Sequence, residues 1–339
     1  MNNKMLKNYA INLAVVILIF TGLMGMMATG MLNKYHQGII IFILINVILA
    51  SSLNLVTGFL GQLTLGHAGF MAVGAYASAL FSVALKGQMP NLLLLIISLI
   101  IGGIAASIVG IVIGIPALRL RGDYLAIITL GFGEVIRVVI NNIKITGGAQ
   151  GLTGIPRIAS FQSAFWIAAL VILVLYRLTH SKQGRAILSI REDEVAAEAV
   201  GVRTTYYKVL GFAIAAGFAG VGGGLYAHYI AFLDPNTFGF MRSVEILVIV
   251  VLGGMGSLTG TIVAATVLTI LPEALRGFSD FRMLLYSFML IVMMLFRPQG
   301  LFGTGEFSWQ TLYDRTKLVH SALRKREKRG GIDGSTGSK

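Results

Sequence analysis

An all-α polytopic membrane protein is the fold class this sequence predicts, with about 8–10 transmembrane helices and a broken or re-entrant hairpin near residues 244–271. Three observations predict it. Hydrophobic residues make up 56% of the 339 and charged residues only 12%, against roughly 45–50% and roughly 25% in a soluble domain. So little charge cannot cover a water-facing surface of this size. Apolar runs long enough to cross the bilayer, about 20 residues, recur along nearly the whole chain. Glycine is abundant, 42 residues against 6 prolines, and small residues let helices approach closely in lipid. Together these exclude disorder, collagen, a coiled coil and an ordinary soluble enzyme. The even spread of the runs favours one unit over two domains.

The spans are helices, because an open strand edge cannot exist in lipid and no alternating barrel pattern is present. Residues 1–10 carry Lys4 and Lys7, and an apolar run follows at 11–30. It is longer than the roughly 7–15 residues of a signal-peptide core and shows no clear cleavage site. It reads as a first span that stays, with a cleaved signal as the alternative. Runs at 39–58, 63–85, 92–115, 124–140, 163–179 and 208–231 supply further spans, followed by a long run at 244–271 and one at 282–297.

With the N-terminus inside, the inside loops are 1–10, 59–62, 116–123 and 180–207, together with the tail. They hold most of the Lys and Arg, as the positive-inside rule expects. The outside loops hold only scattered Lys34, Lys86, Lys144, Arg157, Arg242 and Arg276. A tail on the inside needs an even number of crossings, and nine runs give an odd number. The run at 244–271 resolves this if its centre, LGGMGSLTG, breaks it into two short helices. The alternative is one long, tilted, Gly-kinked helix. From about residue 304 the chain turns basic and then ends GGIDGSTGSK, which predicts a helix on the anionic leaflet and a disordered end. The division is thus 1–303, a membrane domain with a cytoplasmic loop at 180–207, and 304–339, a basic cytoplasmic tail.

The net charge of +13 fits cytoplasmic loops better than nucleic-acid binding, since no basic stripe is interleaved with aromatics. The chain has no Cys, which excludes disulfides and thiolate metal sites. The dipeptide Gly-Lys never occurs, so there is no Walker A cradle for a nucleotide. HExxH and GxSxG are absent as well, and the five histidines are scattered. No metal, cofactor or catalytic residue is expected.

Polar residues recur in apolar surroundings at 52–81, SLNLVTGFLGQLTLGHAGFMAVGAYASALF. Polar groups at membrane depth face protein or water, so Asn54, Gln62 and His67 are candidates for a translocation path. Helix–helix hydrogen bonding is the competing explanation. Glu134 and Arg137, at i, i+3 on one helix face, line the path or form an internal ion pair near the outer boundary. GQLTLG at 61–66 echoes GSLTG at 256–260, either as a half-repeat or by coincidence among many glycines.

The loop HSKQGRAILSIREDEVAAEAVGVRTTYY, 180–207, is long, charged and flanked by spans. Residues 185–200 read as one helix, with Arg191 and Glu194 placed for i, i+3 pairing and Gly201 as its end. The small side chains Ala196, Ala197 and Ala199 fit it to a groove on a partner. A merely solvated loop helix is the plainer reading.

At these residues the chain resembles the inner-membrane permeases of branched-chain amino-acid ABC importers, of the LivM type. The resemblance rests on 52–81, on LRLRGDYLAIITLGFGEVIRVVINN at 118–142 with TGGAQGLTGIP at 146–156, on the charged loop, on VLGGMGSLTGTIVAA at 251–265, and on FRPQGLFG at 296–303. It covers roughly residues 40–303. ABC permeases carry a coupling motif of Glu-Ala-Ala, three residues, then Gly. Ala196, Ala197 and Gly201 match that spacing, Val195 stands where Glu is expected, and Glu194 lies beside it. The resemblance therefore implies ATPase coupling through Glu194, Ala196, Ala197, Glu198 and Gly201. It implies a second homologous permease, two cytoplasmic ATPase subunits and an extracytoplasmic substrate-binding protein as partners, besides membrane lipid. Permeases for urea or short amides share this layout. A secondary transporter driven by protons or sodium is the competing class, and it needs charges poised in the path, where the chain offers Glu134, Arg137 and His67. A membrane-embedded enzyme would want clustered acids or histidines at one face, and the sequence shows none.

Overall fold

The computed structural model describes residues 3–275 and ten positions between 281 and 303. The run at 282–297 falls mostly outside the described residues, and the basic tail at 304–339 falls wholly outside them.

Eleven α-helices account for the described part, with no named strand among these residues. They are α1 (Asn3–Ala28), α2 (Lys34–Asn54), α3 (His67–Ala84), α4 (Asn91–Ala117), α5 (Asp123–Asn142), α6 (Phe161–Thr179), α7 (Lys182–Glu192), α8 (Glu194–Ala199), α9 (Thr204–Ile230), α10 (Phe240–Gly253) and α11 (Leu258–Ala274). A π-helical turn, Leu55–Phe59, extends α2. Five of the described helices are long and apolar enough to cross a membrane: α2 with its π turn, α3, α4, α6 and α9. Ala14–Ala28 and α11 are shorter apolar helices. Most expected spans thus coincide with helices, and the chain is an all-α multi-pass membrane protein.

Three small-residue helices form the centre. A Cβ at Gly74 of α3 would run into the backbone of Gly220 of α9, and one at Gly220 would meet Gly102 O of α4 at 2.7 Å. Glycine at these positions lets α3, α4 and α9 touch backbone to backbone. In lipid this packing supplies the attraction that the hydrophobic effect supplies in water. Around it lies a continuous buried core of α2, α6, α10 and α11 side chains, including Ile45, Leu49, Leu175, Ile246 and Leu268.

The long run at 244–271 is not one kinked helix. It is α10 and α11, with the break at residues 254–257, where Gly254 (φ 109°) and Gly256 (φ 89°) take conformations that an L side chain rarely adopts. Ser257 caps α11 by accepting from Gly260 N at 3.1 Å. Leu301 closes on this break, its N–H donating to Leu252 O at 2.8 Å.

Two expectations need correction. The run at 63–85 is helical only from His67, because residues 60–66 form a second non-helical stretch. Gly61 (φ 73°) ends the π turn, and Leu65 N turns aside to donate to Thr129 Oγ1 of α5 at 3.1 Å. The helix expected at 185–200 is two helices. Asp193 breaks it with an extended backbone (φ −159°, ψ 112°), and its carboxylate caps α8 by accepting from Val195 N and Ala196 N. That capping satisfies two of the free N–H groups at the α8 start, which a continuous helix would have paired internally.

Candidate functional site

The two helix breaks lie close together at the C-terminal end of α2. Asn54, buried at the end of α2, ties that helix to the break at 254–257. Its Nδ2 donates to Ser257 O at 3.0 Å and to Thr261 Oγ1 at 2.8 Å, and its Oδ1 accepts from Gly256 N at 2.9 Å. Non-helical backbone at membrane depth survives only where its polar groups are paired or wet, and one carboxamide supplies that pairing here. Gly58 of the π turn packs against Gly256, where a Cβ would strike the Gly256 backbone. The π turn just before GQLTLG is therefore a neighbour in space of GSLTG.

Arg191, near the end of α7, is seated over both. A Cβ at Gly61 would lie 3.1 Å from Arg191 Cγ, and one at Gly256 would lie 2.8 Å from Arg191 Nη1. The side chain thus occupies the space that side chains at these positive-φ glycines would need. The expected Arg191–Glu194 pair does not form. Because the helix breaks at Asp193, Glu194 turns to α9, where its carboxylate pairs with Lys208 Nζ at 2.7 Å, and with Arg121 Nη2 at 3.7 Å. Lys208 is only 4% exposed, so the pair neutralises a cation that would be costly to leave alone.

α8 is held from its other end too. Glu198 Oε1 accepts from Thr204 Oγ1 at 2.6 Å. Gly201 (φ 87°) closes the helix, with its N–H on Glu198 O and Val202 N on Ala197 O, a Schellman closure. Ala197 is buried against the chain, while Val195 (68% exposed), Ala196, Ala199 and Val200 (80% exposed) face outward. The α7–α8 elbow is therefore rigid on its inner side and apolar on its outer side. At the position where the motif expects Glu, Val195 points away, and the acidic group, Glu194, points inward.

The remaining polar residues separate. His67, at the start of α3, is buried, with Nε2 2.8 Å from Ser52 Oγ. Gln62 is half-buried in the second break. Glu134 and Arg137 form the internal pair, Nε to Oε2 at 2.7 Å. That pair also ties α5 to the start of α10, through Phe240 N to Glu134 Oε1 (2.9 Å), and to the α9–α10 connection, through Arg137 Nη1 to Asn236 Oδ1 (3.1 Å). The structure thus gathers Asn54 with the elbow and leaves Glu134 and Arg137 on a separate junction. Sequence reasoning missed Lys208 and the seat of Arg191. A lysine opening an apolar run was the available signal for the first, while the second depends on residues far apart in the chain. Among the described residues, no group of three or more His, Cys, Asp or Glu could hold a metal ion.

A helical membrane chain with two discontinuous helices and a stiff, outward-apolar elbow has the build of a transport permease. The family model for the branched-chain amino acid transport system permease component matches residues 35–297, and the chain belongs to that family. It is 37% identical to the high-affinity branched-chain amino acid transport system permease protein LivM of Salmonella typhimurium strain LT2, over 80% of this chain and 71% of that protein. It is also 37% identical to LivM of Escherichia coli K12, over 76% and 68%. LivH of S. typhimurium is 26% identical, over 76% of this chain and 91% of that protein. No solved structure matches significantly.

Proposed function

We propose that this chain is the transmembrane permease subunit of an ABC importer that moves leucine, isoleucine or valine inward, driven by separate cytoplasmic ATPase subunits. Family membership across residues 35–297 carries the reading. The substrate class follows the names of the relatives, which favour branched-chain amino acids over urea or amides. The ATPase drive is supported by the elbow, whose exposed Val195 and Val200 suit a groove on a partner, and by the lack of any nucleotide cradle in the chain. LivM and LivH of S. typhimurium are named for one transport system, and both are similar to this chain. That supports a second, homologous permease as partner.

The full assembly then comprises two permeases, two ATPases and an extracytoplasmic binding protein, in the bacterial inner membrane. Residues 1–303 form the permease domain, both termini are cytoplasmic, and the basic tail 304–339 lies on the anionic leaflet. Glu194, Ala196, Ala197, Glu198 and Gly201 make up the coupling unit. Asn54, Gln62 and His67 border the moving helix breaks, and Glu134 and Arg137 brace α5 beside the path. Transport requires the ligand to bind outward and inward states differently, and the elbow is where ATPase motion enters.

A mild-detergent pull-down of the tagged chain from its native cells tests this. Two ATPases and a second permease are the expected co-purifying proteins. The chain alone, in well-behaved form, would point to an ion-coupled secondary transporter instead. Within the elbow, Gly201→Pro forces φ to about −65° where 87° is needed and removes the N–H bonded to Glu198 O. The expected result is loss of uptake with normal amounts of chain in the membrane. Normal uptake by that variant would remove the coupling assignment.

A further inference from the structure

A cavity of about 440 Å³ opens among α2, the end of α9, the connection to α10, α10 and α11. That volume lies within the roughly 300–1,000 Å³ usual for small-molecule sites. Arg242 lines it and does not stand in a loop, as the run boundaries suggested, but in the first turn of α10. Its Nη2 donates to Asn46 Oδ1 at 2.7 Å and its Nη1 to Glu245 Oε2 at 2.9 Å. Asn46 in turn donates to Thr269 Oγ1 of α11 at 2.9 Å. Asn46 is twelve residues from the Lys34 start of α2, about 18 Å along the helix at 1.5 Å per residue. The arginine is thus bonded to the middle of an apolar helix while only 19% exposed. These bonds engage two of the five guanidinium N–H groups, so donors remain for an anion.

The cavity wall is chemically divided. Arg242 supplies the cationic fork, and Glu245 and Glu273 supply carboxylates. Ile39, Phe42 and Met241 supply apolar surface on the same cavity. We infer that this cavity is a substrate site for a zwitterionic, branched aliphatic α-amino acid. The Arg242 fork binds the α-carboxylate, the glutamates take the ammonium group, and Ile39, Phe42 and Met241 take the side chain. A bidentate arginine–carboxylate contact fixes orientation as well as energy. A neutral amide or urea has no carboxylate for the fork, so the site discriminates against that class. The inference rests on the proposed transport of branched-chain amino acids and adds where this chain holds them.

The chain has no cysteine, so a single one reports on the cavity. Thr237 is exposed at its wall. In the complete complex in membranes, maleimide labelling of Thr237→Cys is followed on this chain, in parallel with uptake of radiolabelled leucine by the wild-type complex. Leucine at ten times half-saturation is expected to slow labelling about tenfold, by mass action. Leucinol, which lacks the carboxylate, and 4-methylvalerate, which lacks the ammonium group, are expected to leave labelling unchanged at the same concentration. Adding Arg242→Met is expected to abolish the protection and lower uptake at least about tenfold, as loss of a charged hydrogen bond does. Arg242→Lys keeps the charge without the fork, and protection there should fall between the two. Active leucine uptake with no protection of Thr237→Cys, or with protection that survives Arg242→Met, overturns the site while leaving the transport reading intact. No leucine uptake by the wild-type complex overturns both.

Discussion

Asn54→Leu lowers the stability of the chain by about 3 kcal/mol or more, the largest effect expected from any single polar residue here. Leucine fills similar space but leaves the Gly256 N–H without its acceptor, and removes the donors to Ser257 O and Thr261 Oγ1. Each buried polar group left unpaired costs about 1–3 kcal/mol, and in hydrocarbon there is no water to compensate. Thermal unfolding in detergent, read by the monodisperse fraction left after heating, measures the shift. Asn54→Asp is the informative companion, since it keeps the acceptor for Gly256 N and loses only the donors. It should be destabilised as well, because a carboxylate brings no donor for Ser257 O and sets Thr261 Oγ1 to choose between the two acceptors. A melting curve unchanged by Asn54→Leu would mean that the two breaks do not depend on this side chain.

Glu194→Gln is expected to lower leucine uptake at least about fivefold, within the usual range of coupling energies. It replaces the carboxylate that neutralises Lys208, a group only 4% exposed. Glu194 itself is 23% exposed, so the cost lies between surface and fully buried pairs, at about 2 kcal/mol. The charge can be tested apart from the packing. Lys208→Met leaves Glu194 with only the exposed Arg121, Glu194→Leu leaves Lys208 without its carboxylate, and the two together remove both charges. The double variant should be less destabilised than the sum of the two single ones, the sign of a direct interaction. Additive effects would show that the carboxylate and the ammonium group act independently.

Much of the fold was legible because membrane helices must be long and apolar, and that requirement writes itself into composition. The break at 254–257 was readable from LGGMGSLTG, where glycines and polar residues interrupt an apolar run. The break at 60–66 was hidden by Leu60, Leu63 and Leu65, which look helical in a window although Gly61 and the Thr129 contact pull the backbone out of register. At Asp193 the signal was present and differently read. An aspartate followed by Glu-Val-Ala-Ala is a helix start, and taking 185–200 as one helix placed Glu194 on Arg191 instead of Lys208. The seat of Arg191 on Gly61 and Gly256, and the bond between Arg242 and Asn46, join residues far apart in sequence. Such contacts depend on packing that no local pattern encodes.

Those long-range contacts support a mechanical reading. Glu194 ties the elbow to α9, Asn54 ties the end of α2 to the break at 254–257, and Arg191 lies on both breaks. Under the proposed function, a push on the outer face of α8 would reach two discontinuous helices at once. The most direct measurement is ATP hydrolysis and leucine uptake, side by side, by the complete complex in proteoliposomes carrying Arg191→Met. The account predicts an assembled complex that still hydrolyses ATP while uptake falls at least about fivefold. Uptake equal to wild type, at equal hydrolysis, would contradict it.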